Sequence, residues 1–133
     1  MGKSITEEEK IKIEPDFNKA LCLRDEEKYD DAIKILEKLN SDFPDNHAIL
    51  LMLAGMYHLV DDWENCFIYS QKLVEISPNS ERASVMLFHS LWGLKKFDDA
   101  FEEARRFVDL NGFSKEYDLI LKEIDESKNS VKN

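Results

Sequence analysis

The sequence predicts an all-α protein built as a short solenoid of antiparallel helix hairpins, about seven helices in all. Three observations lead to this fold class. Chemically matched residues recur every 34 positions, apolar residues within each unit follow the spacing of a helix face, and the 133-residue chain contains only four Gly and three Pro. So few turn-forming residues do not suit the many turns of an all-β fold.

The 34-residue period is clearest at three sets of matched positions. These sets are aromatic, small and turn-forming in character: Tyr29, Trp63 and Phe97; Ala32, Cys66 and Ala100; Pro44, Pro78 and Gly112. Self-similarity at a fixed period is typical of repeat architectures, in which each unit buries its apolar face against its neighbours.

Each 34-residue unit is predicted to form two helices. In the middle unit, apolar residues stand at i, i+3, i+4 and i+7 from Leu50 to Tyr57, the pattern of one helix face. The pair Asp61–Asp62 interrupts this run, and carboxylates suit the positive N-terminus of a second helix. Ser77–Pro78 then ends that second helix.

On these residues the chain resembles a tetratricopeptide repeat (TPR) array. The middle unit carries the family's pattern most fully, at Leu50, Leu53–Ala54, Tyr57, Cys66 in place of Ala, and Pro78. The resemblance implies three repeats forming a single domain over 13–126, at about 13–46, 47–80 and 81–114, and a capping helix at 115–126. Two residues depart from the family's pattern: Lys19 stands where Leu is usual, and Phe88 where a small residue is usual.

The two ends of the chain are expected to flank this array. Residues 1–12 form a leader, with a short helix predicted ahead of Pro15 because Thr6-x-x-Glu9 resembles a capping box. Residues 127–133 are expected to form a flexible tail.

The capping helix is predicted to begin after Ser114, which suits an N-cap. A terminal hairpin cannot bury its open face alone, so the array requires such a helix. Its apolar stripe consists of Tyr117, Ile120, Leu121 and Ile124.

The resemblance implies that the first helix of each pair lines a concave side. The positions on that side are mostly apolar: Phe17, Leu21, Leu51, Met52, Gly55, His58, Leu59, Arg82, Val85, Met86, His89 and Trp92. Such a surface predicts a groove that binds a peptide or amphipathic helix of another protein, as in an adaptor or co-chaperone. The alternatives are that residues 1–14 fill the groove, or that a second copy does so in a homodimer.

One known groove chemistry is not favoured. TPR proteins that hold the C-terminal carboxylate of heat-shock chaperones use Lys, Asn and Arg side chains. The corresponding positions in this chain are Phe17, Leu21, Met52, Arg82 and Met86. Only Arg82 suits a carboxylate, so no carboxylate clamp is expected.

Acidic residues recur at the turn inside each hairpin. They are Asp30, Asp31, Asp61, Asp62, Glu64, Asp98 and Asp99. One interpretation is stabilisation of helix N-termini. The other is an acidic docking edge for a basic protein, as in immunity or antitoxin proteins. A third hypothesis for the function is a type III secretion chaperone, since such proteins share the small size, acidity and apolar groove. Only this shared architecture supports it.

The charge and hydropathy of the chain limit the classes of partner that are expected. The formal net charge of −10 disfavours nucleic acid and anionic membranes. No apolar run approaches the ~20 residues of a spanning helix. Met1-Gly2 to Thr6 fits an N-myristoylation pattern at Gly2, although acidic residues follow it. No secretory signal is recognisable, and Cys22 and Cys66 form neither a metal-ligand spacing nor a Cys-x-x-Cys pair, so a reducing cytoplasm is the expected compartment.

No catalytic constellation is recognisable, so no enzyme activity, cofactor or metal is expected. His47, His58 and His89 form no ligand motif, although His58 and His89 are predicted to approach each other on adjacent helices. Cys66 replaces a small packing residue and is predicted to be a buried thiol. No Gly-rich phosphate loop and no Gly-x-Ser-x-Gly motif occurs.

Overall fold

The computed structural model describes residues 6–132, with side chains from 6 to 127. This part of the chain folds into seven α-helices. They are α1 (Glu7–Asp25), α2 (Tyr29–Asp42), α3 (His47–Leu59), α4 (Trp63–Ile76), α5 (Glu81–Gly93), α6 (Phe97–Asn111) and α7 (Lys115–Lys132). The predicted all-α solenoid of helix hairpins is confirmed. The N-myristoylation pattern at Gly2 lies outside the described residues.

The helix boundaries repeat with the 34-residue period. Helices α2, α4 and α6 begin at the matched aromatic residues Tyr29, Trp63 and Phe97. The loops between successive helices have only three or four residues, so neighbours run antiparallel. Helix α3 therefore contacts α2 and α4 directly and also packs on α5, the equivalent helix of the next repeat.

The same left-handed turn closes the first helix of every repeat. Glu27, Asp61 and Lys95 have φ of 62°, 59° and 63°, and they are spaced by 34 residues. After each of them, the next backbone N–H donates to the carbonyl five residues earlier, as from Lys96 to Leu91 at 2.8 Å. This bond satisfies a carbonyl that the helix end leaves free and turns the chain into the second helix.

The matched small and apolar positions form the core. Ala32, Cys66 and Ala100 are each 0% exposed, which confirms that Cys66 is a buried thiol. Ala20 and Ala54 are also buried. These positions allow the backbones of neighbouring helices to approach closely, and the larger core side chains pack around them.

Phe88, at a position where the family usually has a small residue, belongs to an aromatic cluster at the third repeat. Its ring contacts the rings of Trp92, Phe101 and Tyr117 at centroid distances of 5.8, 6.3 and 5.6 Å. Tyr117 belongs to α7, which covers the open face of this hairpin. The Phe88 ring therefore packs against residues of α6 and α7.

Both ends of the array differ from the sequence expectation. Helix α1 runs from Glu7 through Pro15 to Asp25 instead of stopping ahead of Pro15. Pro15 cannot donate to the carbonyl of Ile11, but both residues are exposed, so water can satisfy that carbonyl. Helix α7 continues past residue 126 to Lys132.

The predicted helix caps are confirmed. Thr6 accepts a hydrogen bond from the backbone N–H of Glu9 at 3.1 Å, and Ser114 accepts one from that of Tyr117 at 3.2 Å. In the stripe of α7, Tyr117, Ile120 and Ile124 pack on the core. The assignment of Leu121 to this stripe is wrong: the residue is 37% exposed, because it lies at the edge of the stripe, on the side of Tyr117 away from Ile120 and Ile124.

Candidate interaction groove

A depression of about 410 Å³ lies on the side formed by the first helix of each repeat. Helix α3 forms its floor, and α1 and α5 form its two walls. Its lining residues, which define the concave groove, are Phe17, Arg24, Ala48, Leu51, Met52, Gly55, Met56, Leu59, Arg82 and Met86. Six of these ten residues are large and apolar, and Leu59 remains 49% exposed.

Seven of the twelve predicted groove residues line this depression. They are Phe17, Leu51, Met52, Gly55, Leu59, Arg82 and Met86. Val85 lines an adjoining depression of about 390 Å³, together with Arg82, Met86 and Glu116. Leu21 is half-buried on α1 and does not contribute to the lining.

Trp92 does not line the concave groove. Its ring packs against Phe97 at 4.5 Å and Phe101 at 5.7 Å, both on α6, and stacks on Phe88. The indole therefore lies between α5 and α6, since the large Phe88 side chain and the α6 rings form an aromatic cluster beside it. An anchoring role for Trp92 in the groove does not fit this position.

His58 and His89 approach each other as predicted, with ring centroids 5.5 Å apart. The edge of Trp63 packs on His58 at 5.2 Å. Burial lowers the pKa of His89, and the neighbouring His58 lowers it further, while Glu116 opposes these effects. Among the side chains described, no group of three His, Cys, Asp or Glu could hold a metal ion.

The sequence interpretation missed Arg24, Ala48 and Met56. Arg24 stands in the last turn of α1, where one guanidinium nitrogen lies 3.9 Å from the sulfur of Met52. It is seven residues after Phe17, so helical spacing alone would have put both on one face. Its equivalents one and two repeats later, His58 and Trp92, are among the predicted groove residues, so the 34-residue register also points to this position.

The charges at the groove are of one sign. Arg24 and Arg82 are two of the four arginines in the chain, and the lining contains no Asp or Glu. The chain as a whole carries 28 acidic and 18 basic residues. The concave groove is thus apolar with a positive group on each wall, in a protein that is otherwise acidic.

The apolar surface continues towards the start of α1. A second depression of about 380 Å³ shares Phe17 and Ala48 with the concave groove and adds Ile13. Its rim is mixed in charge, with Glu7, Lys10 and Glu14. The shared residues place this second depression beside the concave groove.

The acidic residues of the predicted docking edge stand at the starts of α2, α4 and α6. Asp62 caps α4 by accepting hydrogen bonds from the backbone and side-chain nitrogens of Asn65, at 3.2 and 2.8 Å. Asp30–Asp31 and Asp98–Asp99 lie in the first turns of helices that lack a side-chain cap. Asp61 takes the left-handed turn, and Glu64 is exposed in the first turn of α4. These positions suit the positive helix N-termini.

The thiols show no sign of activation. Burial, followed by the charge of Asp62, raises the pKa of Cys66 to about 12, so this thiol stays protonated at neutral pH. Cys22 is free and exposed on α1. Within residues 6–132, no helix has both the length and the apolar character needed to cross a membrane.

Helix pairs on a 34-residue period, stacked around a concave groove and closed by a capping helix, define a TPR-like protein. The resemblance seen in the sequence is thereby confirmed for the fold. No protein-family model matches the sequence, and no curated protein sequence does so either.

Solved structures support the same conclusion. MamA from residue 41 to its end, from Desulfovibrio magneticus RS-1, is similar with a TM-score of 0.77 and 17% identity over 88% of this chain. MamA MSR-1 C2 is similar with a TM-score of 0.68 and 21% identity over 74% of this chain. This chain spans only 66% and 56% of the lengths of those two chains.

A third structure matches along nearly its whole length. The first TPR domain of Spaghetti (RPAP3), solved bound to the HSP90 peptide SRMEEVD, has a TM-score of 0.74 and 18% identity. The match covers 96% of this chain and 99% of that one. At these identities the likeness establishes the fold.

Proposed function

We propose that this chain is a protein-interaction module without catalytic activity, an adaptor or co-chaperone that binds a peptide or helix of a partner in the concave groove. The observation that carries the proposal is the apolar character of the groove, in which Leu59 is 49% exposed and Leu51, Met52 and Met86 are only partly buried. Apolar side chains in a concavity gain free energy when a partner covers them.

The composition of the groove supports a peptide ligand. Met52 and Met86 are flexible and polarisable, so they can adjust to the side chains of a bound segment. The TPR domain of RPAP3, which has the same fold, was solved with a peptide bound. The raised pKa of Cys66 argues against nucleophilic chemistry by this thiol.

A matched pair of substitutions tests the proposal. Leu59 in the groove and Ile68 on α4 are 49% and 48% exposed, so aspartate at either site costs folding about the same. We expect Leu59→Asp to abolish binding of partner segments, and Ile68→Asp to leave it unchanged. Leu51→Asp and Met86→Asp should act like Leu59→Asp.

Binding is measured by calorimetry on segments selected against the wild-type chain, with far-ultraviolet circular dichroism as the control for folding. Equal binding by the Leu59→Asp and Ile68→Asp variants would contradict the proposal. The mass of the free chain in solution separates a partner from a second copy, because self-association through the groove would make Leu59→Asp monomeric. The free thiols Cys22 and Cys66 agree with a reducing cytoplasmic location.

A further inference from the structure

We infer that the segment bound in the concave groove is apolar along its middle and carries acidic side chains towards both ends, which Arg24 and Arg82 bind. The inference rests on the function proposed above and adds the chemistry of the partner. Charge complementarity carries it, since these two arginines are the only charged residues in the lining among the side chains of residues 6–127.

Arg24 is available to a partner. Its ion pair within the described residues is with the adjacent Asp25, at 3.3 Å, and the Asp25 side chain is 72% exposed. Exposed pairs of this kind contribute little, so a carboxylate of a partner can replace Asp25 with small loss. The contact with Met52 holds the guanidinium at the groove wall, where its planar fork can bind a carboxylate through two hydrogen bonds.

Arg82 is also available. It is exposed in the first turn of α5, and it forms no ion pair with any residue whose side chain the structure describes. The nearby Glu81 is occupied, since it accepts a hydrogen bond from the Ser114 hydroxyl at 2.7 Å. Glu116 lies in the adjoining depression and not in the concave groove.

The two arginines lie diagonally across the groove. In the repeat register Arg82 corresponds to Glu14, ten positions before Arg24, so the two are offset by roughly 15 Å along the helix axes. They also stand two helices apart, at about 8–10 Å per interhelical spacing. The diagonal of roughly 20–25 Å is spanned by about seven extended residues. One short segment can therefore reach both arginines while its middle covers α3.

A basic or neutral segment fits less well. Lys or Arg side chains at its ends would face like charges, and the lining offers no carboxylate in compensation. A neutral segment would partly cover the Arg82 guanidinium, which has no ion pair with any side chain that the structure describes, and offer it no carboxylate, which costs free energy. Acidic ends avoid both penalties.

A displayed library of random segments of about 16 residues tests the inference, since this length spans the diagonal even as a helix. Both ends are embedded in a carrier protein, so no free terminal carboxylate is present. Segments enriched on the wild-type chain are expected to combine apolar residues with Asp or Glu towards both ends. Synthetic, terminally blocked versions are then measured against three variants.

The double variant Arg24→Gln/Arg82→Gln should bind these peptides at least about fivefold more weakly, equivalent to about 1 kcal/mol. The matched control is Arg105→Gln, an exposed arginine outside the groove, which should bind as wild type does. Leu59→Asp should abolish binding. Peptides with Gln in place of the acidic residues should bind the wild type as weakly as the original peptides bind the double variant.

Each other result has a distinct meaning. Enrichment of neutral or basic segments, or equal binding by the double variant, overturns the inference and leaves the proposed function in place if Leu59→Asp still abolishes binding. Binding only of peptides with a free C-terminal carboxylate also overturns it. Enriched segments that bind Leu59→Asp normally would overturn the proposed function as well.

Discussion

The indole of Trp63 lies directly against Gly93. A Cβ placed at Gly93 would stand only 2.2 Å from Cδ2 of Trp63, inside the ring's van der Waals surface. Trp63 begins α4, and Gly93 ends α5, so this contact joins the second repeat to the third. Glycine is required here for close approach and not for an unusual backbone angle.

Gly93→Ala should therefore destabilise the fold. The Trp63 ring, which also packs against His58, would have to shift, and we expect a loss of about 1–3 kcal/mol, typical of overpacking. Urea unfolding followed by circular dichroism measures the loss. Gly55→Ala is the matched control, because a Cβ at Gly55 would meet nothing within 4 Å and alanine favours a helix by about 0.5–1 kcal/mol. A neutral Gly93→Ala would show that the ring can move aside freely.

Lys95→Gly should stabilise the fold, although it lies two residues from Gly93. Lys95 has φ of 63°, a left-handed conformation that costs a side-chain-bearing residue about 1–2 kcal/mol. Glycine removes this cost, but its greater conformational freedom in the unfolded chain offsets part of the stabilisation. We therefore expect the free energy of unfolding to rise by about 0.5–1 kcal/mol. Lys95→Ala removes the same charge but keeps the strain, so thermal unfolding should rank it below Lys95→Gly. The opposite ranking would contradict the assigned backbone strain.

Glu103 should be important for holding the end of the array together. Its buried carboxylate accepts hydrogen bonds from the Ser84 hydroxyl at 2.6 Å and from two nitrogens of Arg106 at 2.9 and 2.7 Å. Ser84 also contacts the hydroxyl of Tyr117 on α7 at 2.7 Å. Glu103→Gln should cost about 1–3 kcal/mol, because a charged acceptor is lost in a buried network.

The control for Glu103 is its neighbour. Glu102 is exposed, and Glu102→Gln should change the free energy of unfolding by less than about 0.5 kcal/mol. Chemical denaturation of both variants gives the comparison. If the two substitutions have equal effects, the buried network does not stabilise the attachment of α7.

His89 should make stability depend on pH. Burial and His58 lower its pKa in the folded chain, so the unfolded chain binds more protons once the pH falls below about 6.5. Stability should then decrease as the pH is lowered from 6.5 towards the folded pKa. Above pH 6.5, His89 is neutral in both the folded and the unfolded chain, so it no longer contributes to the pH dependence of stability.

Thermal unfolding of His89→Gln and wild type between pH 5 and 7.5 measures this effect. The difference in stability between the two proteins should shift in favour of the variant as the pH falls, while the carboxylates contribute equally to both. His47→Gln is the control, since His47 is exposed at the start of α3. A difference that stays constant with pH would show that His89 is not the group responsible.

The sequence by itself determined the fold and the boundaries of most helices. Tyr29, Trp63 and Phe97 start their helices, and Ala32, Cys66 and Ala100 are buried, because the helical period and the repeat decide which face of each hairpin is covered. Helix caps such as Ser114 depend on neighbouring residues only, so they can also be predicted from the sequence. The helix break expected at Pro15 is wrong, because the effect of a proline depends on whether water reaches the carbonyl that it leaves free.

Only the tertiary structure decided how the concave groove is assembled. Trp92 and Arg24 both stand near the ends of first helices, yet Trp92 packs into the aromatic cluster between α5 and α6, and Arg24 lines the groove beside Met52. Periodicity assigns a residue to a face of its own helix. Which neighbour covers a side chain at the edge of that face depends on the size of residues far away in sequence, such as Phe88 and Tyr117, and this is settled when the helices pack.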